Sequence, residues 1–412
     1  MTTPINNPLA ELKSELILTE QPDISVCGFI YKHPSIHVTQ RRALYTYCKN
    51  AISAGEVEVV YKRKLYGTEK APLGRFYADA SILSSPYQPC AVKAAFFART
   101  ETDVDAIASH PQVLLGLAKT YLEDASTPSL EHYLCKRQEV LDSIELVEEV
   151  CSRYNKKNGL EHGQALCIRD IKKMLFNILC YGGTIRTWER KFDINSTEYK
   201  LPVFVRKFQS ELKQLVKELL CCPTIAPTSA LIKRHLLKTN AKDGAPEHKI
   251  VSHVVQTFET ELVLIMLEAF KNADVSVRGF IYDGLHIGCK DPVKIRQIFE
   301  NGYRKQQEIF GFTLPFTIKD WAEPIEKCPP EEEVDDAIYF EYFNAVNSET
   351  LSKVIYSYLN GNYLIENKSV KVYKNGLWQK ADLNGLYGFL KTPVYNDIKQ
   401  KLLTYKIEKK IA

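Results

Sequence analysis

Two aspartates far apart in the chain carry the clearest chemical potential. Asp105 ends the acidic run Glu101-Thr102-Asp103-Val104-Asp105, and Asp283 lies in Tyr282-Asp283-Gly284. Carboxylates converging from two such places could share two magnesium ions, or manganese in their place, because hard cations take oxygen ligands. Such a site would align a primer 3′-hydroxyl with an α-phosphate and stabilise departing pyrophosphate. Asp103 is the rival of Asp105 for that position. Asp283-Gly284 suits a two-residue hairpin turn equally well, with no chemistry attached. Arg169, Lys173 and Tyr181 form a third group, followed by Gly182-Gly183. On a helix the two bases lie one turn apart and the tyrosine about two turns further, all on one broad face. That is a clamp for a polyphosphate with an aromatic for the sugar or base. It is also the spacing of an ordinary helix with two solvated bases.

These residues need elements to hold them. Ala91–Ala98 reads as an apolar strand leading to the acidic run, and a helical pattern follows from about Gln112 to Glu123. Residues 129–220 read as mostly helical, including Ile168–Tyr181, which the glycine pair ends. A helix from Val251 to Asn272 then leads to a hairpin, Val275–Ile281 and Leu285–Cys289, joined at Tyr282-Asp283-Gly284.

The 412 residues suffice for two or three domains with their own cores. The composition, 45% hydrophobic and 25% charged, is that of a globular protein, and a formal net charge of +4 points to no particular partner. Local charge is more telling. Tyr61-Lys62-Arg63-Lys64-Leu65-Tyr66 interleaves bases with aromatics, and Arg186, Arg190, Lys191, Lys200, Arg206, Lys207, Lys213 and Lys217 follow in one region. Such stretches suit a phosphate backbone and stacked bases, or else solvated faces. The 11 cysteines include no CxxC pair, so zinc-ligand spacing is absent. With no secretory signal and no apolar run of membrane-spanning length, free thiols, an intracellular location and no membrane partner are expected. Glu326–Glu333, with Pro329-Pro330 and an acidic run, reads as an exposed connector. Beyond it a helical pattern (Ser348–Leu359) and hairpin signals at Asn360-Gly361 and Asn375-Gly376 describe a small α+β tail. The lysine-rich stretch Lys401–Ala412 has no evident helix terminus, as though the chain were part of something longer.

Order and spacing combine these features. An acidic strand, an R-x3-K-x7-Y-G helix and a second aspartate in a hairpin resemble motifs A, B and C of family A DNA polymerases, an arrangement shared by single-subunit phage and mitochondrial RNA polymerases. Gly74-Arg75-Phe76-Tyr77-Ala78 resembles the G-R-x-Y-A element of those RNA polymerases, and Gln256 resembles the glutamine of family A that touches the primer–template minor groove. The block Asp103–Pro111, with Gln112–Leu115 behind it, is similar to the D-x-D-h-x-N-x-H-P-x-h-L block of the TV-Pol family. These are transposon- and virus-encoded relatives of family A, fused in virophage replication proteins to a superfamily 3 helicase. The tail resembles the segment before that helicase, with Trp378 at its tryptophan position; no G-x4-G-K-[ST] loop occurs in the sequence.

The resemblance implies an α+β right-hand polymerase: an antiparallel palm, mostly helical fingers, a small thumb-like N-terminal region and a C-terminal α+β tail. The implied bounds are 1–74 for the N-terminal region, 75–325 for palm and fingers (fingers about 116–245), 326–338 for the linker and 339–412 for the helicase-associated segment. The implied activity is template-directed, two-metal DNA synthesis, with or without priming, in viral or virophage replication, placed in the host cytoplasm or a viral replication factory. Primer–template DNA, dNTPs and a downstream superfamily 3 helicase are the implied partners. Asp105 and Asp283 would hold the metals. Lys173 would neutralise the triphosphate and protonate pyrophosphate, and Arg169 would hold the outer phosphates. Tyr181, with Gly182 behind it, would stack near the incoming nucleotide. His110 would stand where the DNA polymerases carry a sugar-discriminating glutamate, and Arg75 and Gln256 would touch the primer–template. Three positions depart from the pattern: Ser109 for asparagine, Tyr282 for the histidine opening motif C, and Asn177 four residues after the motif B lysine. No exonuclease-like acidic cluster is present. The remaining readings are an RNA polymerase, against which a bulky His110 argues, and an inactive nucleic-acid-binding adaptor for the helicase.

Overall fold

The computed structural model describes residue 9 and residues 12–327, apart from 34, 37, 65–72, 80, 86–87, 159–164 and 240–244, together with the backbone of three later strands. Contacts divide the chain into two compact units, Met1–Pro329 and Pro330–Ala412. The first is a mixed α+β structure with antiparallel sheets, and its strands are β1 (Glu15–Glu20), β2 (Val57–Arg63), β3 (Phe76–Ala78), β4 (Thr102–Ala106), β5 (Glu145–Leu146), β6 (Tyr199–Lys200), β7 (Val277–Ile281), β8 (Gly284–Ile287) and β9 (Phe316–Lys319). They form a sheet β1-β2-β3, a small pair β5-β6, and a four-stranded sheet ordered β7-β8-β4-β9. In the second unit β10 (Tyr363–Glu366), β11 (Ser369–Lys374) and β12 (Leu377–Ala381) form an antiparallel meander. The expected helix Ser348–Leu359, both Asn-Gly pairs, the side chain of Trp378 and Lys401–Ala412 lie outside the described residues.

The four-stranded sheet has two different faces because strand side chains alternate. Val104 and Leu285, paired across β4 and β8, are fully buried. Helices Glu247–Asn272 and Pro292–Phe310 cover that face, with Phe299 against Phe316 of β9 at 6.0 Å. Asp103 and Asp105 point the other way. The Glu247–Asn272 helix is long and apolar enough to cross a membrane by length and composition, yet most of it is buried inside this unit.

The expected strand Ala91–Ala98 is instead a helix, Cys90–Phe97, starting after Pro89. Four of its expected eight residues are alanine, the best helix former, and Val92 and Phe96, four apart, are both fully buried. The acidic run itself forms the strand. The next helix, Ser109–Tyr121, begins three residues before the expected Gln112; Pro111 falls in its first turn, where the missing N–H is not needed.

The basic-aromatic stretch is corrected too. β2 alternates, and the side chains of Tyr61 and Arg63 are fully buried. Arg63 pairs with Glu261 and stacks on Phe76 at 4.9 Å, while Lys62 pairs with Asp79 at 3.4 Å. Tyr61 and Arg63 are therefore core residues, whose aromatic and alkyl surface is buried together with one compensated charge. β3 pairs with β2 across the expected boundary at 74–75.

The helical part is knit by aromatics. Tyr133 stacks on Phe176 at 4.3 Å, and Phe208 meets both edge-on, joining helices Pro128–Cys135, Ile168–Cys180 and Val203–Cys221. Within Ile168–Cys180, Ile171, Leu175, Phe176 and Leu179 are buried at the three- and four-residue spacing of an amphipathic helix. Asp170 accepts the Cys167 N–H at 3.1 Å and closes the start. At the end, Gly182 N–H donates to Leu179 O at 2.9 Å and Gly183 N–H to Ile178 O at 3.0 Å. Gly182 has φ +76°, the left-handed residue of a Schellman terminus. The ten described cysteines are all free thiols.

Candidate active site

Asp105 and Asp283 meet at one end of the four-stranded sheet. Asp105 in β4 stands opposite Gly284, the first residue of β8, and Ala106 N–H donates to Asp283 O at 3.0 Å. The hairpin loop is Tyr282-Asp283, since Ile281 pairs with Gly284, so the expected Asp283-Gly284 turn is shifted by one residue. Tyr282 carries the left-handed φ of +50°. Gly284 serves a different need: a Cβ there would lie 2.7 Å from Val104 O and 3.1 Å from Asp105 Oδ1. Its missing side chain lets the two strands close and sets the aspartates side by side. Gly284→Ala is expected to destabilise the fold by about 1–3 kcal/mol, as overpacking does, and to weaken divalent-cation binding. A thermal melt and a Mn²⁺ titration that both match wild type would remove this role.

The surroundings of the pair are electrostatically unbalanced. Burial, then neighbouring Asp283, pushes the Asp105 carboxyl up to about 6, against the pull of Lys319. Burial and Glu259 also raise Asp283, while Arg75 and His110 act in the opposite sense. Lys319 Nζ lies 3.6 Å from Asp105 Oδ2, and Ser109 Oγ donates to Asp283 Oδ2 at 3.0 Å. Two part-buried, oxygen-only side chains side by side, with Asp283 raising the proton affinity of Asp105, suit a divalent cation. The donor set therefore fits magnesium. Among the described residues, no group of three or more His, Cys, Asp or Glu side chains is arranged to hold a metal, so the pair stands as two carboxylates. Asp103 is on the same face, opposite His286 and Lys319, with its carboxyl raised chiefly by burial.

Beside the pair lies a connected polar cluster. Tyr181 Oη is 2.5 Å from His110 Nδ1, and Arg75 Nη2 is 2.6 Å from His110 Nε2. Both ring nitrogens of His110 are therefore engaged, Nδ1 by the tyrosine hydroxyl and Nε2 by Arg75 and, at 3.2 Å, by Glu259 Oε1. Arg75 Nε also donates to Glu259 Oε2 at 2.7 Å, and its guanidinium covers the Tyr282 ring at 5.1 Å. Arg75 is thus drawn into a part-buried ion pair. Gly74 N–H donates to Thr257 Oγ1 at 2.9 Å, docking this segment on the long helix. Gln256 is part-buried on that helix, its amide 3.4 Å from Ser252 Oγ.

His110, Tyr181, Arg75 and the aspartates are brought together, whereas Arg169 and Lys173 lie further along the tyrosine's helix. At 1.5 Å per residue, Lys173 is about 12 Å and Arg169 about 18 Å from Tyr181 along the axis. Lys173 pairs with Asp170 at 3.5 Å, and Arg169 donates to Gln138 Oε1 at 2.6 Å. Sequence reasoning missed Lys319 and Glu259. Glu259 had a signal: it interrupts the apolar stripe Val255, Leu262, Val263, Met266 of its helix, where a charge must have a partner.

No family model matches the chain, and no curated protein does. Among solved structures, the POL domain of Pol1 from M. smegmatis, in complex with DNA primer-template and dNTP, is similar over 68% of this chain and 52% of that one. The identity is 10% and the TM-score 0.35. This chain therefore spans about half of that neighbour, and a likeness of this size assigns no activity to it; the chain is placed by its own geometry, as a mixed α+β protein with an antiparallel sheet presenting paired aspartates.

Proposed function

We propose that this chain is a template-directed DNA polymerase of the family A type, of the TV-Pol kind, with the four-stranded sheet as palm and the helical region of about residues 116–245 as fingers. The observation that carries the reading is the meeting of Asp105 and Asp283 across β4 and β8, with Gly284 as the residue that permits it. Asp105 and Asp283 would hold magnesium, which when bound supplies positive charge to the reacting phosphate and the leaving group. Ser109 fixes the rotamer of Asp283 by its hydrogen bond, and Lys319 partly offsets the charge of Asp105. Tyr181 and His110, locked together, form one wall beside the carboxylates. Lys173 and Arg169 extend the same helix toward where a polyphosphate tail would lie. Metal-dependent extension of a labelled primer with dNTPs tests the reading; no incorporation by the folded wild-type chain with either Mg²⁺ or Mn²⁺ would refute it.

Sugar choice follows from the same wall. His110 is bulky and held by two contacts, so it cannot easily yield to a 2′-hydroxyl. dNTPs are expected to be preferred over rNTPs, and His110→Gly to reduce the preference by about 10²–10³-fold, the scale of a few kcal/mol of discrimination. Wild-type extension with rNTPs as readily as with dNTPs would remove His110 from this role.

A further inference from the structure

Glu259 occupies an unusual position. Its side chain is fully buried in the Glu247–Asn272 helix, with Arg75 Nε 2.7 Å from one oxygen and His110 Nε2 3.2 Å from the other. A buried carboxylate loses its hydration, and nothing in the helix demands one there, since its neighbours along the stripe are apolar. Its partners are the informative part. Arg75 lies over the ring of Tyr282, the residue before Asp283. His110 follows Ser109, whose hydroxyl holds Asp283. Arg75, His110 and Ser109, whose hydroxyl also serves Glu259, therefore all border Asp283 as well.

We propose that Glu259 is a positioning residue for the cation site: it holds the Arg75 guanidinium in an ion pair of its own and so keeps Asp283 available to a divalent ion. This rests on Asp105 and Asp283 being the ligands. Burial disfavours the charge of Arg75, and Glu259 is the first carboxylate that offsets this, with Asp283 the next, so the two carboxylates share one guanidinium. If Glu259 were neutral, Asp283 would be the carboxylate left for Arg75 to engage. A guanidinium–carboxylate pair is strong and directional, and it would compete directly with the ion. A purely structural Glu259, serving only to satisfy Arg75, would lower stability when removed but would not create that competition.

The test is Mn²⁺ binding to the full chain by electron paramagnetic resonance or calorimetry, with primer extension at varied Mn²⁺ as a parallel readout. Glu259→Gln is expected to weaken Mn²⁺ binding by about tenfold or more, while Arg75→Gln/Glu259→Gln, which removes the competitor, returns it to within about threefold of wild type. A folded Glu259→Gln variant that binds Mn²⁺ as wild type does, or a double variant no better than the single, overturns the assignment. Glu259→Asp keeps the buried charge but shortens its reach to Arg75, and it decides the matter if the glutamine variant does not fold: weaker binding supports the assignment and unchanged binding overturns it. Because binding is read without catalysis, a wild-type chain that binds Mn²⁺ through Asp283 yet extends no primer fails the polymerase reading alone. A wild-type chain that binds no Mn²⁺ fails both.

Discussion

Asp105→Ala and Asp283→Ala are each expected to abolish nucleotide incorporation, by at least ~10³-fold, while folding and DNA binding survive. On the proposed polymerase reading, each change would delete an oxygen ligand at the point where charge develops in phosphoryl transfer, an effect worth several kcal/mol. Stability should hold because burial, first of all, raises the proton affinity of both carboxylates, so the fold does not favour either ionised form. Removing Asp105 frees Lys319, whose side chain is largely exposed, whereas removing Asp283 leaves the buried Ser109 hydroxyl without that acceptor and is the costlier of the two changes. Asp103→Ala should be milder. Asp103 shares the face of Asp105 but stands two cross-strand pairs further from the hairpin loop, opposite His286 instead of Gly284. The measurements are single-nucleotide primer extension, a thermal melt and a DNA-binding titration on all three variants. A dead Asp103→Ala with an active Asp105→Ala would move the site by two residues along β4. Loss of DNA binding in step with activity would leave the carboxylates with a structural role.

The second large effect concerns the helix that carries Tyr181. Lys173→Ala is expected to reduce incorporation by at least ~100-fold, the scale of one charged group acting on a transition state. Arg169→Ala should chiefly raise the KM for nucleotide. Lys173 is held only loosely, by Asp170 one turn earlier at 3.5 Å, and its side chain is about a third exposed (34%). Such a group can swing to a phosphate at little cost. Arg169 is tethered to Gln138 at 2.6 Å, so it would have to exchange one partner for another. Steady-state kcat and KM on the two variants separate the roles. Equal, small effects from both would make this a helix with two ordinary solvated bases.

Much of this site was legible in the sequence, and the reason is that its parts depend on local pattern. The Ile168–Cys180 helix showed in its apolar spacing and in the glycine pair that ends it; the hairpin showed in Tyr282-Asp283-Gly284. The juxtaposition of His110 with Tyr181 followed from a resemblance in motif order, not from the residues singly. What could not be read were partners set by tertiary packing. Glu259 and Lys319 reach the site from a helix and a strand whose own sequences give no address for a carboxylate elsewhere. The Ala91–Ala98 run failed for a different reason. Short apolar stretches fit helix and strand alike, and its alanines decided the matter. The glycine at 284 was read as a turn residue, but backbone clearance to Val104 is what it provides, a feature visible only once β4 and β8 are paired.

The strand order β7-β8-β4-β9 has a consequence for how the molecule comes to exist. β4 is an interior strand whose two neighbours, β8 and β9, arrive about 180 and about 210 residues later. Until the chain through Ile287 and Lys319 has been synthesised, β4 lacks both of these partners. Sheets closed over such long sequence separations form slowly, since loop-closure entropy is lost before any ladder bond is gained. The carboxylate pair is thus among the last features to assemble. A chain that stops short of Asp283 cannot bring the two aspartates together, so their pairing reports completion of the sheet.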